Sequence, residues 1–335
     1  MITRHDERNV REGSHSRSDT ATPGMGIAMS GEVITSIDQV SAAWLTSVLA
    51  QSGAITQGAV KSFEFATGQG NWSRSGTLKV SYMDDARGPR PQRLFLKMVN
   101  TDAGDGEFFG DSEVTYYTRD YVSLKNAPLL RCYSAAYSQE LNRYHILLDD
   151  VSETHIEAAK KEPTLAYGLA LAEGMAALHA HWWGEQRLAE AGAPIHDARH
   201  IQNFVDIAEP GVTHILERFS HELKPHWPET LREIYAHHPH LMVERTQNLN
   251  GFTLIHGDPG APNILVPRHG DRPVYLIDRQ PFNWSLTTWL GVYDLAYAIV
   301  LDWNTELRRQ CELPILERYH QHLMQNGVTD YSWQQ

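Results

Sequence analysis

The chain has 335 residues, 41% hydrophobic and 10% aromatic, enough apolar side chain for a sizeable core and for about two domains or one two-lobed unit, which excludes wholesale disorder. Twenty-nine Lys and Arg against 41 Asp and Glu leave a net charge of −12, which argues against a general phosphate-backbone binder of nucleic acid but leaves room for one local basic pocket. Two cysteines, Cys132 and Cys311, exclude a disulfide framework and fit a reducing cytoplasm, and no run of about 18 apolar residues predicts a membrane span.

Residues 1–30 are charged, rich in Ser, Thr and Gly, and read as a flexible tail. Ser36 to Gln39 offers a helix start before Val40, Trp44, Leu45, Val48 and Leu49, an amphipathic spacing. The texture then changes to short alternating strands at 60–65, 77–82 and 94–99, joined by a Gly-rich turn at 68–71 and a Pro/Gly/Arg loop. A helix-like segment covers 111–122, and Tyr144 to Leu148 predicts a further strand. Beyond about 155 the pattern is helical: Leu171, Met175, Leu178 and Trp182 share one helix face, and further helices are predicted around 202–222, 228–248 and 304–326. Short apolar strands at 253–255 and 274–277 interrupt them. The expectation is an α+β fold: a small antiparallel-sheet lobe over 31–150, then a larger mainly helical lobe over 151–335, joined near Asp149 to Thr154.

The strongest chemical signal runs from Leu254 to Val266. A strand leads into a turn-rich loop that carries Asp258 and, five residues later, Asn263; twenty residues after Asp258 a second strand ends in Asp278. Phosphoryl transfer needs such a set, one carboxylate to accept a hydrogen bond from the attacking hydroxyl and hard oxygen ligands to hold Mg²⁺ against nucleotide phosphates. Asp, Asn, Gly and Pro also dominate ordinary turns, so either half alone would read as loop chemistry. The two together, each framed by apolar strand residues, favour the functional reading.

These residues resemble the aminoglycoside phosphotransferase and choline kinase-like superfamily. His256-Gly257-Asp258 with Asn263 matches its catalytic loop, and Ile277-Asp278 matches its metal-binding strand end. Leu147 to Ser152 and Leu178 to Trp183 are similar to its ecdysteroid-kinase-like branch. The resemblance implies a bilobal protein-kinase-like fold and transfer of the γ-phosphoryl of ATP, with GTP as the other possible donor, to a hydroxylated small molecule. It implies Asp258 as catalytic base, Asn263 and Asp278 as Mg²⁺ ligands, and His256 as a residue that shapes the loop. Gly68, Gly70 and Ser73 would then lie over the nucleotide phosphates, where glycines allow close backbone approach. Lys97 would contact the phosphates and pair with Glu113, for which Glu107 is a competitor, and 149–152 would be the adenine-binding hinge.

Other readings compete. The 18 histidines suggest a metal hydrolase, but no His-Glu-Xaa-Xaa-His is present, and His179 and His181, two apart on a helix, do not share a face. Trp182, Trp183, Trp284 and Trp289 fit core positions or a substrate cleft. Asp294 reads as a helix-start charge supporting the metal loop. Arg279 stands where relatives carry an aromatic or Leu. It could lower the pKa of Asp278, compete with Mg²⁺ for it, or point toward a phosphate. The resemblance also leads one to expect further helices beyond Gln335 and hence an incomplete C-terminal substrate wall, and this expectation, with Arg279, motivates the alternative of a non-catalytic nucleotide-binding pseudokinase. The acceptor and the oligomeric state are not legible; substrate contacts are expected from 180–250 and 285–330.

Overall fold

The computed structural model describes residues 32–68, 73–104, 107–108 and 110–334. The tail expected at 1–30 and Gly70 lie outside the described residues.

The first lobe contains helix α1 (Ala42–Gln51), strands β1 (Val60–Thr67), β2 (Ser73–Tyr82) and β3 (Arg93–Asn100), a minimal hairpin β4 (Asp102–Gly104) and β5 (Glu107–Phe108), helix α2 (Ser112–Thr115), and strands β6 (Cys132–Ser138) and β7 (Arg143–Asp149). Five strands form one antiparallel sheet in the order β1-β2-β3-β7-β6. Strand alternation divides its faces. Leu94, Leu96 and Met98 of β3 and Leu147 of β7 join a core with Leu45, Val48 and Leu49 of α1. Val99, Tyr144, Ile146 and Leu148 belong to the opposite side, which packs on the second lobe. Lys97 is an odd-numbered β3 position, opposite Ile146 in register, and so shares that second side.

Two local differences from the sequence pattern have clear causes. Ser36 and Gln39 form a capping box, but around a single 3₁₀ turn; Val40 is extended, and Ser41 then caps α1 by accepting from the Trp44 amide. The helix predicted at 111–122 is α2 followed directly by a π-helical turn, Tyr116–Asp120. The sequence pattern also passes over β6, whose buried Ser and Ala positions show no alternation.

The second lobe contains β8 (His155–Glu157), α3 (Leu165–His181), α4 (Gly184–Ala191), α5 (Ala198–Arg218), α6 (Trp227–Arg245), β9 (Phe252–Leu254), β10 (Ile264–Pro267), β11 (Tyr275–Leu276), β12 (Thr288–Leu290), α7 (Val292–Asp302) and α8 (Thr305–Gln325). The fold is α+β and bilobal. Helix α3 is its axis: Leu171, Ala172, Met175 and Ala176 are fully buried against α7 and α8, and a buried Leu or Met contributes about 1.5–3 kcal/mol. Gly168 allows the α3–α8 approach, since a Cβ there would lie 2.3 Å from Ile315 Cδ1. Strand β10 pairs with both β8 and β11, so the segments on either side of 256–263 and 277–278 are backbone neighbours. No helix among the described residues is long and apolar enough to cross a membrane.

Candidate functional site

The loop 256–263 connects β9 to β10 and is built from its backbone outward. Gly257 adopts φ +84, a left-handed conformation open to glycine, and a Cβ there would meet Gln280 Cβ at 2.9 Å. The amides of His256 and Gly257 donate to Asp294 Oδ2 and Oδ1 at 2.6 and 3.0 Å, and the Ala261 amide donates to Asp302 Oδ2 at 2.7 Å. Helix α7 is thus a splint along the loop. Asp294 has 0% exposure and also accepts from His179 Nε2 at 3.1 Å; the Tyr319 hydroxyl lies 2.8 Å from His179 Nδ1. Burial would raise the Asp294 pKa, but His179 and the backbone donor outweigh it and hold the carboxyl below its ordinary value. Asp294 therefore supports the Asp258 loop, and His179 is a packing residue rather than a metal ligand.

His256 is wholly engaged with backbone. The Asp258 amide donates to its Nδ1 at 3.3 Å, so Nε2 carries the proton and donates to the Ile277 carbonyl at 2.9 Å. That bond, with Ile277 N to Asn263 O at 3.0 Å, ties the loop to the end of the second strand. Burial holds the imidazole below its ordinary pKa. Asp258 accepts from the Tyr297 hydroxyl at Oδ1 (2.9 Å) and from Asn263 Nδ2 at Oδ2 (3.1 Å). Asn263 Nδ2 also donates to the Asp258 carbonyl at 2.9 Å, which commits its amide nitrogen inward.

Across from this loop, Lys97 Nζ donates to Glu113 Oε2 at 2.7 Å and to Asp278 Oδ1 at 2.8 Å. Glu113, 3% exposed, also accepts from the Tyr144 hydroxyl. Burial by itself would lower the Lys97 pKa; the two carboxylates outweigh it and raise it. Partial burial would raise the Asp278 pKa, and Lys97 reverses this and holds it low. Glu113 goes the other way, pushed up by burial that Lys97 offsets only in part. Asp278 has φ 57, uncommon for a residue with a Cβ and costing about 1–2 kcal/mol, so the contacts on either side of it must hold the turn.

Arg279 does not pair with the neighbouring Asp278. Its guanidinium, 5% exposed, turns away to Asp120 Oδ2 at 2.7 Å and lies over the Tyr116 ring. Gly68 donates its amide to Ser75 O at 2.8 Å, and Ser73 opens β2 opposite Val99, two residues along β3 from Lys97. The side chain of Glu107 lies outside the described residues. In the expected hinge, Asp150 is tied to Thr77, Arg93 and the Ser152 amide, and Asp149 to Tyr133. Of the tryptophans, Trp289 is buried against Phe252, Trp182 donates to the Asp120 carbonyl, and Trp284 stacks on Phe282. Among the described residues, two cavities of about 740 and 560 Å³ flank α3; Trp183 lines the smaller, and none of Lys97, Glu113, Asp258, Asn263 or Asp278 lines either.

Sequence reasoning did not find Tyr297, Tyr144 or Asp120. Asp294 and Tyr297 lie one helical turn apart in an otherwise apolar segment, which was a usable signal. Among the described residues no group of three or more His, Cys, Asp or Glu is arranged to hold a metal ion by itself. The oxygen donors of Asn263 and Asp278 fit Mg²⁺ instead, which takes one or two carboxylates and completes its shell with phosphate and water oxygens.

The sequence profile of the ecdysteroid kinase-like family matches residues 122–328. Among solved structures, the chain is similar to Plasmodium vivax ethanolamine kinase, at 14% identity over 81% of this chain and 69% of that one, TM-score 0.46. It is similar to a glucosamine kinase at 13% identity over 88% and 72%, TM-score 0.48, and to an aminoglycoside 2'-phosphotransferase solved with GDP at 13% over 86% and 87%, TM-score 0.42. No curated protein sequence matches significantly.

Proposed function

The chain belongs to the ecdysteroid kinase-like family, and from that premise we propose that it transfers the γ-phosphoryl group of ATP, or of GTP, to a hydroxyl of a small molecule. The observation that carries the reading is the convergence of two differently charged centres on one strand end. Asp258, held by two neutral donors, is bonded through His256 and Asn263 to Ile277, and the next residue, Asp278, is bonded to the Lys97–Glu113 pair.

In this reading Asp258 accepts the proton of the acceptor hydroxyl as its oxygen bonds to the γ-phosphorus; the bond to the bridging oxygen breaks, and its electron pair leaves with the nucleoside diphosphate. Lys97 places its ammonium on phosphate oxygens, with Glu113 and Tyr144 fixing where it points. Asn263 Oδ1 and the Asp278 carboxylate would hold Mg²⁺, which supplies neutralising charge on the phosphates. Gly68, Gly70 and Ser73 belong to the turn proposed to cover them. Most of the rate comes from positioning and charge stabilisation. The division into a nucleotide-binding lobe over 31–150 and an acceptor-binding lobe over 151–335 is part of the proposal, as is a cytoplasmic setting, which the two buried free cysteines fit.

The test is the thermal midpoint with and without Mg·ATP or Mg·GTP, on the wild type and on Asp278→Ala, followed by γ-phosphoryl transfer to a panel of hydroxylated small molecules. A ligand bound only to the folded state raises the midpoint. A magnesium-dependent rise that Asp278→Ala removes supports the site, and transfer establishes the enzyme. Binding without transfer to any acceptor favours the pseudokinase. No rise with either nucleotide overturns the reading.

A further inference from the structure

We propose that Arg279 is a positioning residue: its ion pair with Asp120 clamps residues 112–120 to the strand end at Asp278 and so sets the geometry of Lys97, Glu113 and Asp278. The purpose of that geometry rests on the phosphotransfer reading; the clamp itself does not.

Two consecutive side chains serve one helical segment at two heights. Asp278 meets Glu113 through Lys97, and Arg279 meets Asp120 directly at 2.7 Å. Glu113 lies in α2 and Asp120 closes the π-helical turn that follows it directly, so both belong to one continuous helical segment. The same two segments also meet where Ser112 Oγ donates to Gln280 O at 2.9 Å and Gly110 N to Pro281 O at 3.1 Å.

Asp120 is in turn anchored to the helical lobe, since its carbonyl accepts from the Trp182 indole at 2.9 Å, while its Oδ1 accepts from Nε of the neighbouring Arg119 at 2.8 Å. The Tyr116 ring lies between the Arg279 guanidinium (5.2 Å) and the His256 ring (5.9 Å), which extends the contact to the Asp258 loop. Arg279 and Asp120 are 5% and 2% exposed, so separating them would leave a buried guanidinium without its ionic partner and Asp120 with Arg119 alone. The segment and the strand end therefore move together or stay put.

The clamp matters because the other ionic tie is conditional. Lys97 spends one donor on Asp278, and any ligand that takes that carboxylate from Lys97 breaks the tie between Asp278 and the segment. The Arg279–Asp120 pair is then the ionic contact that keeps Glu113 in place behind Lys97. A guanidinium suits the position better than an aromatic side chain would, because it binds Asp120 and Tyr116 at once.

The experiment uses the full chain as wild type, Arg279→Met, Asp120→Asn, the double variant and Arg279→Lys. Amide hydrogen exchange is followed over 110–121, with β6 and α8 as internal references, and Mg·ATP affinity is measured by titration calorimetry. Arg279→Met and Asp120→Asn should each speed exchange over 112–121 at least tenfold with the references unchanged, and weaken Mg·ATP at least fivefold. The double variant should be no worse than either single, because both remove one interaction, and Arg279→Lys should recover part of both effects. Wild-type exchange over 112–121 in a folded Arg279→Met, or effects that add in the double variant, overturns the proposal. If Arg279→Met does not fold, Asp120→Asn and Arg279→Lys decide by the same criteria. A wild type that does not bind Mg·ATP overturns the phosphotransfer reading alone, and the exchange comparison still decides the clamp.

Discussion

Asp258 and Asp278 stand on neighbouring segments and are held in opposite ways. Asp258 rests on a phenol and an amide, both neutral, within a loop whose backbone is pinned to one helix of its own lobe. The Asp278 side chain is 47% exposed, and the residue sits in a left-handed backbone conformation and is bonded to a lysine of the other lobe. The contrast separates two tasks. A carboxylate held only by neutral donors carries no cation that an incoming hydroxyl would have to displace. A carboxylate already paired with a cation stays ionised and can exchange that cation for another.

The harshest way to break this contrast is Asp258→Asn. It preserves shape and removes the charge, so turnover should fall by about 10²–10⁴ while Mg·ATP affinity stays within about twofold. Equal loss of both would place Asp258 in nucleotide binding and erase the distinction.

Asp294→Ala attacks the support of Asp258 rather than the residue. It leaves two buried amides and His179 without their acceptor, a loss of about 3–5 kcal/mol in chemical unfolding. A stability within 1 kcal/mol of wild type would show that α7 is not the splint described above.

How far the sequence revealed this arrangement depends on distance along the chain. Asp258, Asn263 and Asp278 were legible because strand, loop and strand lie within 25 residues and carry their own turn chemistry. Helix α3 and strands β1, β2, β3 and β7 followed from helical spacing and alternation in the same local way, whereas the sheet order, which runs through β6, did not. What stayed hidden is long-range: Arg279 finds Asp120 across 159 positions, and His179 finds Asp294 across 115. Both partners of each pair look like ordinary charges until the fold removes water from them. Arg279 misled for this reason, since its nearest neighbour in sequence is a candidate metal ligand and its partner in space is not.

Two histidines, one in each lobe, predict how stability depends on pH. His145 accepts from the Ile34 amide and bonds Ser134; His196 accepts from the Thr287 amide and stacks on His200. Burial lowers both pKa values to about 4, helped in His196 by His200. An unfolded histidine titrates near 6.5, so between about 6.5 and 4 the unfolded chain binds more protons than the folded one. Their contribution is complete above about pH 6.5 and is lost as pH falls toward 4, by up to about 3 kcal/mol each. Urea midpoints should therefore drop over that window, and His145→Gln should flatten the slope by about one proton. Because His196 holds the backbone downstream of Asp278, acid should loosen 285–288 before it disturbs the Asp258 loop, which hydrogen exchange would resolve.

The finest test is Tyr297→Phe, which deletes one oxygen. The Tyr297 hydroxyl occupies Asp258 Oδ1 while Asn263 occupies Oδ2, so the carboxylate is fixed in its plane before any substrate arrives. Burial and the nearby Asp258 both push the phenol above its ordinary pKa, so it remains a donor throughout the neutral range. A bond of this kind is worth about 0.5–1.5 kcal/mol, which predicts a two- to tenfold fall in kcat with the KM for ATP unchanged. If Tyr297→Phe is instead faster at every pH, the hydroxyl competes with the acceptor for Oδ1, and the neutral donors around Asp258 restrain the base rather than prepare it.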